Sequence, residues 1–128
     1  MTWMELALAA LGAWGWAGMK LTVEVTNPGD AYAAKAHVDA TFQTCRIEVN
    51  VSIPEDSIYA DDVMLHEVGH CVGYWGLSWG DHSADSGSIM YASIGGQVQR
   101  ILSADLLAAK AKRDARLTYR TYLPGVAR

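Results

Sequence analysis

The segment Val63-Met64-Leu65-His66-Glu67-Val68-Gly69-His70-Cys71-Val72-Gly73 decides how the rest of the chain is read. Two histidines four apart stand on one face of a helix, since 3.6 residues make a turn, so both imidazoles can reach one metal ion. Glu67 follows His66 by about 100° round the helix. That is close enough for it to hold a metal-activated water as a general base, and too far round to serve as a ligand. Met64, Val68 and Cys71 fall on another side, flanked by Leu65 and Val72, and this apolar side is expected to pack on a sheet. Cys71 is therefore read as a small core residue rather than a ligand.

Outward from this helix, strands precede it. Leu21, Val23 and Val25 alternate with polar residues, as do Ala36, Val38, Ala40 and Phe42, and then Ile47, Val49, Val51 and Ile53. A period of two means a sheet buried on one face and wet on the other. Few residues separate the second and third runs, so they are expected to form an antiparallel hairpin, because a parallel pair needs a longer crossover. Residues 3–17, rich in Ala and Leu, read as a first helix, apolar on nearly all faces and hence deeply buried, that ends at Gly15 to Gly18. Asp61 or Asp62 opens the motif helix, and Gly73 is its stop. Residues 74–99 hold five glycines and no periodicity, a long functional loop region. Ser103 caps a last helix running towards Tyr119, whose Leu106, Leu107 and Leu117 are expected to cover another surface.

The chain has 128 residues, 51% hydrophobic and 19% charged, with no repeat or low-complexity run, which suits one globular domain over 1–128. Charge is uneven: residues 1–99 carry twelve acids and three bases, net −9, and residues 100–128 two acids and seven bases, net +5. The bases at 110, 112, 113, 116 and 120 follow a helical pattern without Gly-rich or aromatic interleaving, so they read as a solvated helix face and no nucleic-acid partner is expected. Residues 3–19 lack a preceding Lys or Arg and contain Glu5, which fits neither a secretory signal nor a membrane span. Cys45 and Cys71 are compatible with a disulfide, with free thiols or with separate roles.

A catalytic zinc commonly takes three protein ligands. After His70 the chain offers one more histidine, His82, with Asp81 beside it as a competing carboxylate, and no glutamate follows Glu67. A site completed by a downstream glutamate has no candidate. His37 sits on the wet face of its strand and is read as solvent-facing.

The combination of His66-Glu67, His70, Gly73 and His82 with Ser88-Ile89-Met90-Tyr91 resembles the metzincin zinc peptidases, which carry HExxHxxGxxH and a methionine turn. Residues 82–91, and the spacing from His82 to Met90, are similar to the matrixin group, and Ser103-Ala104-Asp105 resembles the start of its C-terminal helix. The resemblance is strong over residues 63–91. It implies an α+β, metzincin-like (zincin) fold: a small twisted mixed sheet with an antiparallel edge strand, two helices on one face and a C-terminal helix. It further implies zinc held by His66, His70 and His82, Glu67 as catalytic base, Met90 as a hydrophobic base under the metal, and hydrolysis of a peptide or protein substrate laid along the edge strand near residues 36–42. A zinc-stabilised binding module without activity is the alternative. The family pattern places its third histidine at position 76, where Gly76 stands, so six extra residues loop out before His82, and Trp75, Leu77 and Trp79 within that insertion are expected to cover the cleft or touch substrate. The tyrosine some metzincins use as a fifth ligand lies two positions past the methionine, where Ala92 stands; Tyr91 is therefore assigned to substrate binding or pocket lining. Room for the family's first strand is lacking, which implies a minimal version or a fragment, and the resemblance leans towards a secreted protein.

Overall fold

Thr2 starts the first helix. Its Oγ accepts from the Glu5 amide at 3.1 Å while its own amide donates to the Glu5 carboxylate at 3.0 Å, a reciprocal capping box. In this computed structural model, which describes residues 1–74, 82–94 and 98–122 with side chains as far as 115, the helix is α1, Trp3–Trp14. Gly15 ends it in the left-handed conformation at φ 75°, where any other residue would be strained. The helix is not buried all round. Trp3, Leu6, Ala7, Ala10, Leu11 and Trp14 face the core, whereas Met4 and Leu8 are exposed, because only one stripe of a helix can meet its neighbours. Among the described residues no helix is long and apolar enough to cross a membrane.

Strands β1 (Lys20–Thr26), β2 (Ala34–Val38) and β3 (Thr44–Asn50) form a mixed sheet in the order β1-β3-β2. β2 and β3 make the expected antiparallel hairpin, with Ala36 opposite Ile47, and β1 lies parallel to β3, with Val23 opposite Ile47. Two of the strands are shorter than their alternation suggested. β2 stops at Val38 because the Asp39 carboxylate takes the amides of Thr41, Gln43 and Thr44 and bends the chain into a turn, with Phe42 at φ 56°. Phe42 is still buried, but from the turn. β3 stops at Asn50, whose side chain ties Gly29 and Tyr32 to the sheet end, leaving Val51 exposed instead of inward.

Helix α2, Ala60–Cys71, runs beneath the sheet beside α1. Asp61 and Asp62 lie in its first turn without capping it; the cap residue is Tyr59 and makes no side-chain bond. Met64, Val68, Cys71 and Val72 are fully buried against Ile47 and Val49. Cys71 and Cys45 form a disulfide, Cα to Cα 5.7 Å, that bolts α2 to β3.

Helix α3 spans Ser103–Tyr122. Ser103 is inside it rather than its cap: Asp105 reaches back to the Leu102 amide at 2.8 Å. The surface it covers is also not the one expected. Leu106 and Leu107 are exposed, and the buried stripe is Asp105, Ala109 and Arg113. The side chain of Leu117 lies outside the described residues. Arg113 thereby leaves the solvated basic face. It is 6% exposed, donates to the Val72 carbonyl at 2.5 Å and stacks its guanidinium 4.4 Å from the Trp16 ring. Lys110 keeps to the surface and pairs with Asp114.

Candidate metal centre

His66 and His70, a turn apart on α2, point their Nε2 atoms at one another across 3.2 Å. His82 completes the group, and one ligand nitrogen from each of the three lies within 4.8 Å of the others. The rings of His66 and His82 stack at 5.2 Å, and the His70 ring stands nearly perpendicular to both.

Which nitrogen carries the proton follows from the far side of each ring. His66 Nδ1 meets the Ile89 carbonyl at 2.6 Å and His70 Nδ1 the Tyr74 carbonyl at 2.9 Å. A carbonyl only accepts, so Nδ1–H donates in both cases and both Nε2 lone pairs turn inward. Burial pushes His66 down to about 4 and His70 down to about 3 from the ordinary 6.5, which keeps both neutral at pH 7. Two inward lone pairs at 3.2 Å have no proton to share. A cation resolves that: two nitrogens each about 2.05 Å from a tetrahedral zinc are about 3.3 Å apart. The donor set therefore fits zinc.

Glu67 is buried, with Oε2 3.9 Å from His66 Nε2, and burial pushes its carboxyl up to about 8. It lines, with all three histidines, a cleft of about 660 Å³. The opposite wall is the edge strand β2. Asn50 donates its amide to the Ala33 carbonyl and Asp39 donates its own to Thr44, so residues 33, 35, 37 and 39 spend their backbone groups on β3. Ala34, Ala36 and Val38 consequently turn theirs outward, along the open edge, and Ala34 and Ala36 face the cleft.

The supports are the turn Ser88–Tyr91, closed by the Tyr91 amide on the Ser88 carbonyl, and two helices. Met90 is fully buried beneath α2, so close that a Cβ on Gly69 would stand 2.4 Å from its Sδ and 2.6 Å from Trp14 Cζ2. Trp14 itself donates to the Leu65 carbonyl at 2.8 Å, holding α1 against the motif helix. Ser83 donates its amide to the Met90 carbonyl at 2.9 Å, which ties the residue after His82 to the turn. Ser88 Oγ accepts from the Met90 amide and donates to Asp105, so the start of α3 holds the turn from outside.

Of the residues singled out in the sequence, His66, Glu67, His70, His82 and Met90 are brought together. Tyr91 is half-buried and bridges to Ser83, while its neighbours Ala92 and Ile94 line the cleft. His37 is half-buried and paired with Glu48 at 2.5 Å across the wet face of the sheet, an interaction that holds the Glu48 carboxyl below its usual range. Trp75, Leu77, Trp79 and Asp81 lie outside the described residues. The carbonyls of Ile89 and Tyr74, and Trp14, carry no chemical signal in their side-chain types and escape a search for donor residues. Arg113 does leave a trace, in its four-residue spacing from Asp105 and Ala109.

Comparison with known proteins adds one relative. The chain is 34% identical over 102 residues to "Putative matrix metalloproteinase" of Trichoplusia ni ascovirus 2c, an alignment covering 70% of this chain and 18% of that protein. The chain thus spans about a fifth of the length of the relative it matches. No protein-family model matches, and no solved structure does. The likeness suggests a matrixin-like protein, and a small mixed sheet with three helices is compatible with a small metzincin-like domain.

Proposed function

We infer that the chain is a zinc-dependent endopeptidase unit of matrixin type, with His66, His70 and His82 as ligands and Glu67 as general base. The observation that carries this reading is the pair of imidazole lone pairs turned inward at 3.2 Å, with His82 beside them and a buried carboxylate next to them on the cleft floor. A zinc ion in this position supplies Lewis acidity, which brings the pKa of water to about 7 and polarises a carbonyl. The chain's residues do the rest. The outward backbone groups of Ala34 and Ala36 pair with an extended peptide, which is sequence-tolerant recognition, and lay it across the histidines. Glu67 takes a proton from the attacking water at its carboxylate and returns it to the departing amine. Its apolar surroundings favour the protonated carboxyl, so the proton is easily accepted once charge nearby has made the carboxylate available. The matrixin-named relative supports the same class.

The test combines zinc stoichiometry with cleavage of a peptide library. The expected outcome is one zinc per chain, chelator-sensitive cleavage, a Glu67→Ala variant that retains zinc but loses at least about a hundredfold in turnover, and a His82→Ala variant that loses both. Zinc binding without turnover by the natural chain would instead identify a metal-stabilised binding module. An Asp81→Ala variant that loses zinc while His82→Ala keeps it would move the third ligand to Asp81.

A further inference from the structure

Asp62 stands one turn before His66 on α2, on the flank of the helix that carries both histidines. It also precedes Gly69, which packs on Met90, by two turns, within about 20° round the helix. The residue is thus bracketed by the cleft: Tyr59, Val63 and His66 line it from the same helix, and Ala92 and Ile94 from the stretch that follows Met90. Asp62 is half-buried, and among the described residues no hydrogen bond or ion pair reaches its carboxylate. Burial, and then Asp61 beside it, raise that carboxyl above its usual range. A partly buried charge in this position is costly until a cation joins it. Lys35, a base on the opposite wall, holds its ammonium 5.2 Å over the Tyr32 ring.

Tyr59 supplies the second half of a cation site. It lies three residues before Asp62, so the two side chains are neighbours on the helix surface. The face of a tyrosine ring attracts a cation, and a carboxylate takes its N–H groups in charge-assisted hydrogen bonds.

The direction of the cleft decides which part of a substrate meets this pair. Cys71, at the end of α2, is bonded to Cys45, which lies opposite Val38 at the end of β2. The helix and the edge strand therefore run the same way, and Ala31 to Ala34 share the other end of the cleft with Tyr59. An extended peptide takes the stronger, antiparallel pairing with β2. Its C-terminal half, the leaving-group side, then lies over Tyr59 to Val63. Side chains opposite Ala34 and Ala36 point to the same face as those alanines, into the cleft.

We propose that Asp62, with Tyr59 beside it, is a specificity-determining subsite for an arginine or lysine side chain on the leaving-group side of the scissile bond. This rests on the endopeptidase reading above. The aliphatic stem of the basic residue crosses Val63, which is buried, and its charged head ends on the carboxylate.

A peptide library varied on the leaving-group side tests this with two readouts. Cleavage by the zinc-loaded natural chain should favour arginine or lysine over leucine at the inward-facing position by about tenfold in kcat/KM. Asp62→Asn, of the same size, should erase that ratio while keeping one zinc per chain. Binding of the same peptides to zinc-loaded Glu67→Ala, read by fluorescence anisotropy, should show the same preference without turnover. Chelator-sensitive cleavage with no preference for a basic residue overturns this inference and leaves the endopeptidase reading standing. A ratio unchanged in Asp62→Asn overturns it as well, since the cation then has another partner. Preferential binding of basic peptides by a natural chain that cleaves none of them would instead overturn the endopeptidase reading while the subsite stands.

Discussion

Replacing Gly69 with alanine probes the packing under the three-histidine cluster most directly. The added Cβ would stand 2.4 Å from Met90 Sδ, 2.6 Å from Trp14 Cζ2 and 3.1 Å from Met90 Cε. Ordinary contact begins near 3.4 Å, so two neighbours must each give by most of an ångström. Neither is free to do so: Met90 is fully buried and Trp14 is held by its bond to Leu65. Overpacking of this severity belongs at the top of the usual range, about 3 kcal/mol. Alanine recovers about 1 kcal/mol of helix propensity relative to glycine, leaving a net loss of about 2 kcal/mol. For a domain of this size that lowers the melting temperature by roughly 6 to 10 °C. The assay is thermal unfolding of the chelated protein, paired with zinc titration, since the displaced Met90 drags the Ile89 carbonyl off His66. Adding Met90→Ala should make the double variant less unstable than the sum of the two single losses, because the thioether is one of the two obstacles. A Gly69→Ala protein as stable as the natural chain, or strict additivity, would refute the packing argument.

Three further outcomes are expected. In the chelated protein the unfolded chain protonates His66 and His70 near 6.5 whereas the folded chain does so only near 4 and 3, so stability falls as pH drops below 6.5. Glu67 works the other way: it ionises near 4.5 when unfolded but holds its proton up to about 8 when folded, so it lowers stability by about 1.4 kcal/mol per unit from pH 4.5 to 8, offsetting about half of the histidine gain below 6.5 and leaving a net decline above it. Melting curves should therefore peak near pH 6.5, and Glu67→Gln should abolish the alkaline decline; a persisting decline in that variant contradicts the assignment. Replacing Cys45 and Cys71 with alanine opens a cross-link spanning 26 residues and should cost about 3 to 4 kcal/mol by chain entropy, read from urea unfolding. Unchanged stability would mean that the bond does not form in solution. Truncation after Ser103 removes Asp105, Ala109 and Arg113 from the core, exposes the Val72 carbonyl and should lower the melting temperature; an unchanged midpoint would make α3 an appendage.

The features readable along the chain were local ones. The four-residue spacing of His66 and His70 fixes their common face whatever surrounds the helix, and the alternation through Ala36, Val38, Ile47 and Val49 with a short connection leaves an antiparallel hairpin as the simple solution. Strand ends were less legible, since Asp39 ends β2 through bonds to amides that alternation does not register. What tertiary structure alone decided involves partners far apart in the chain, where many pairings satisfy the same pattern. β1 could have joined either edge of the hairpin, and it lies parallel to β3. Cys45 and Cys71 could have stayed apart, and packing of α2 on β3 brought them together. Arg113 is indistinguishable by type from the bases around it, and a carbonyl left over at the end of α2 drew it inside. His82 reaches the other two histidines because Ser83 is hydrogen-bonded to Met90 in the Ser88–Tyr91 turn and that turn is held by α3. Residue types and spacing nominate donors, but the direction of a lone pair depends on the carbonyls behind each ring, and only the folded chain positions those.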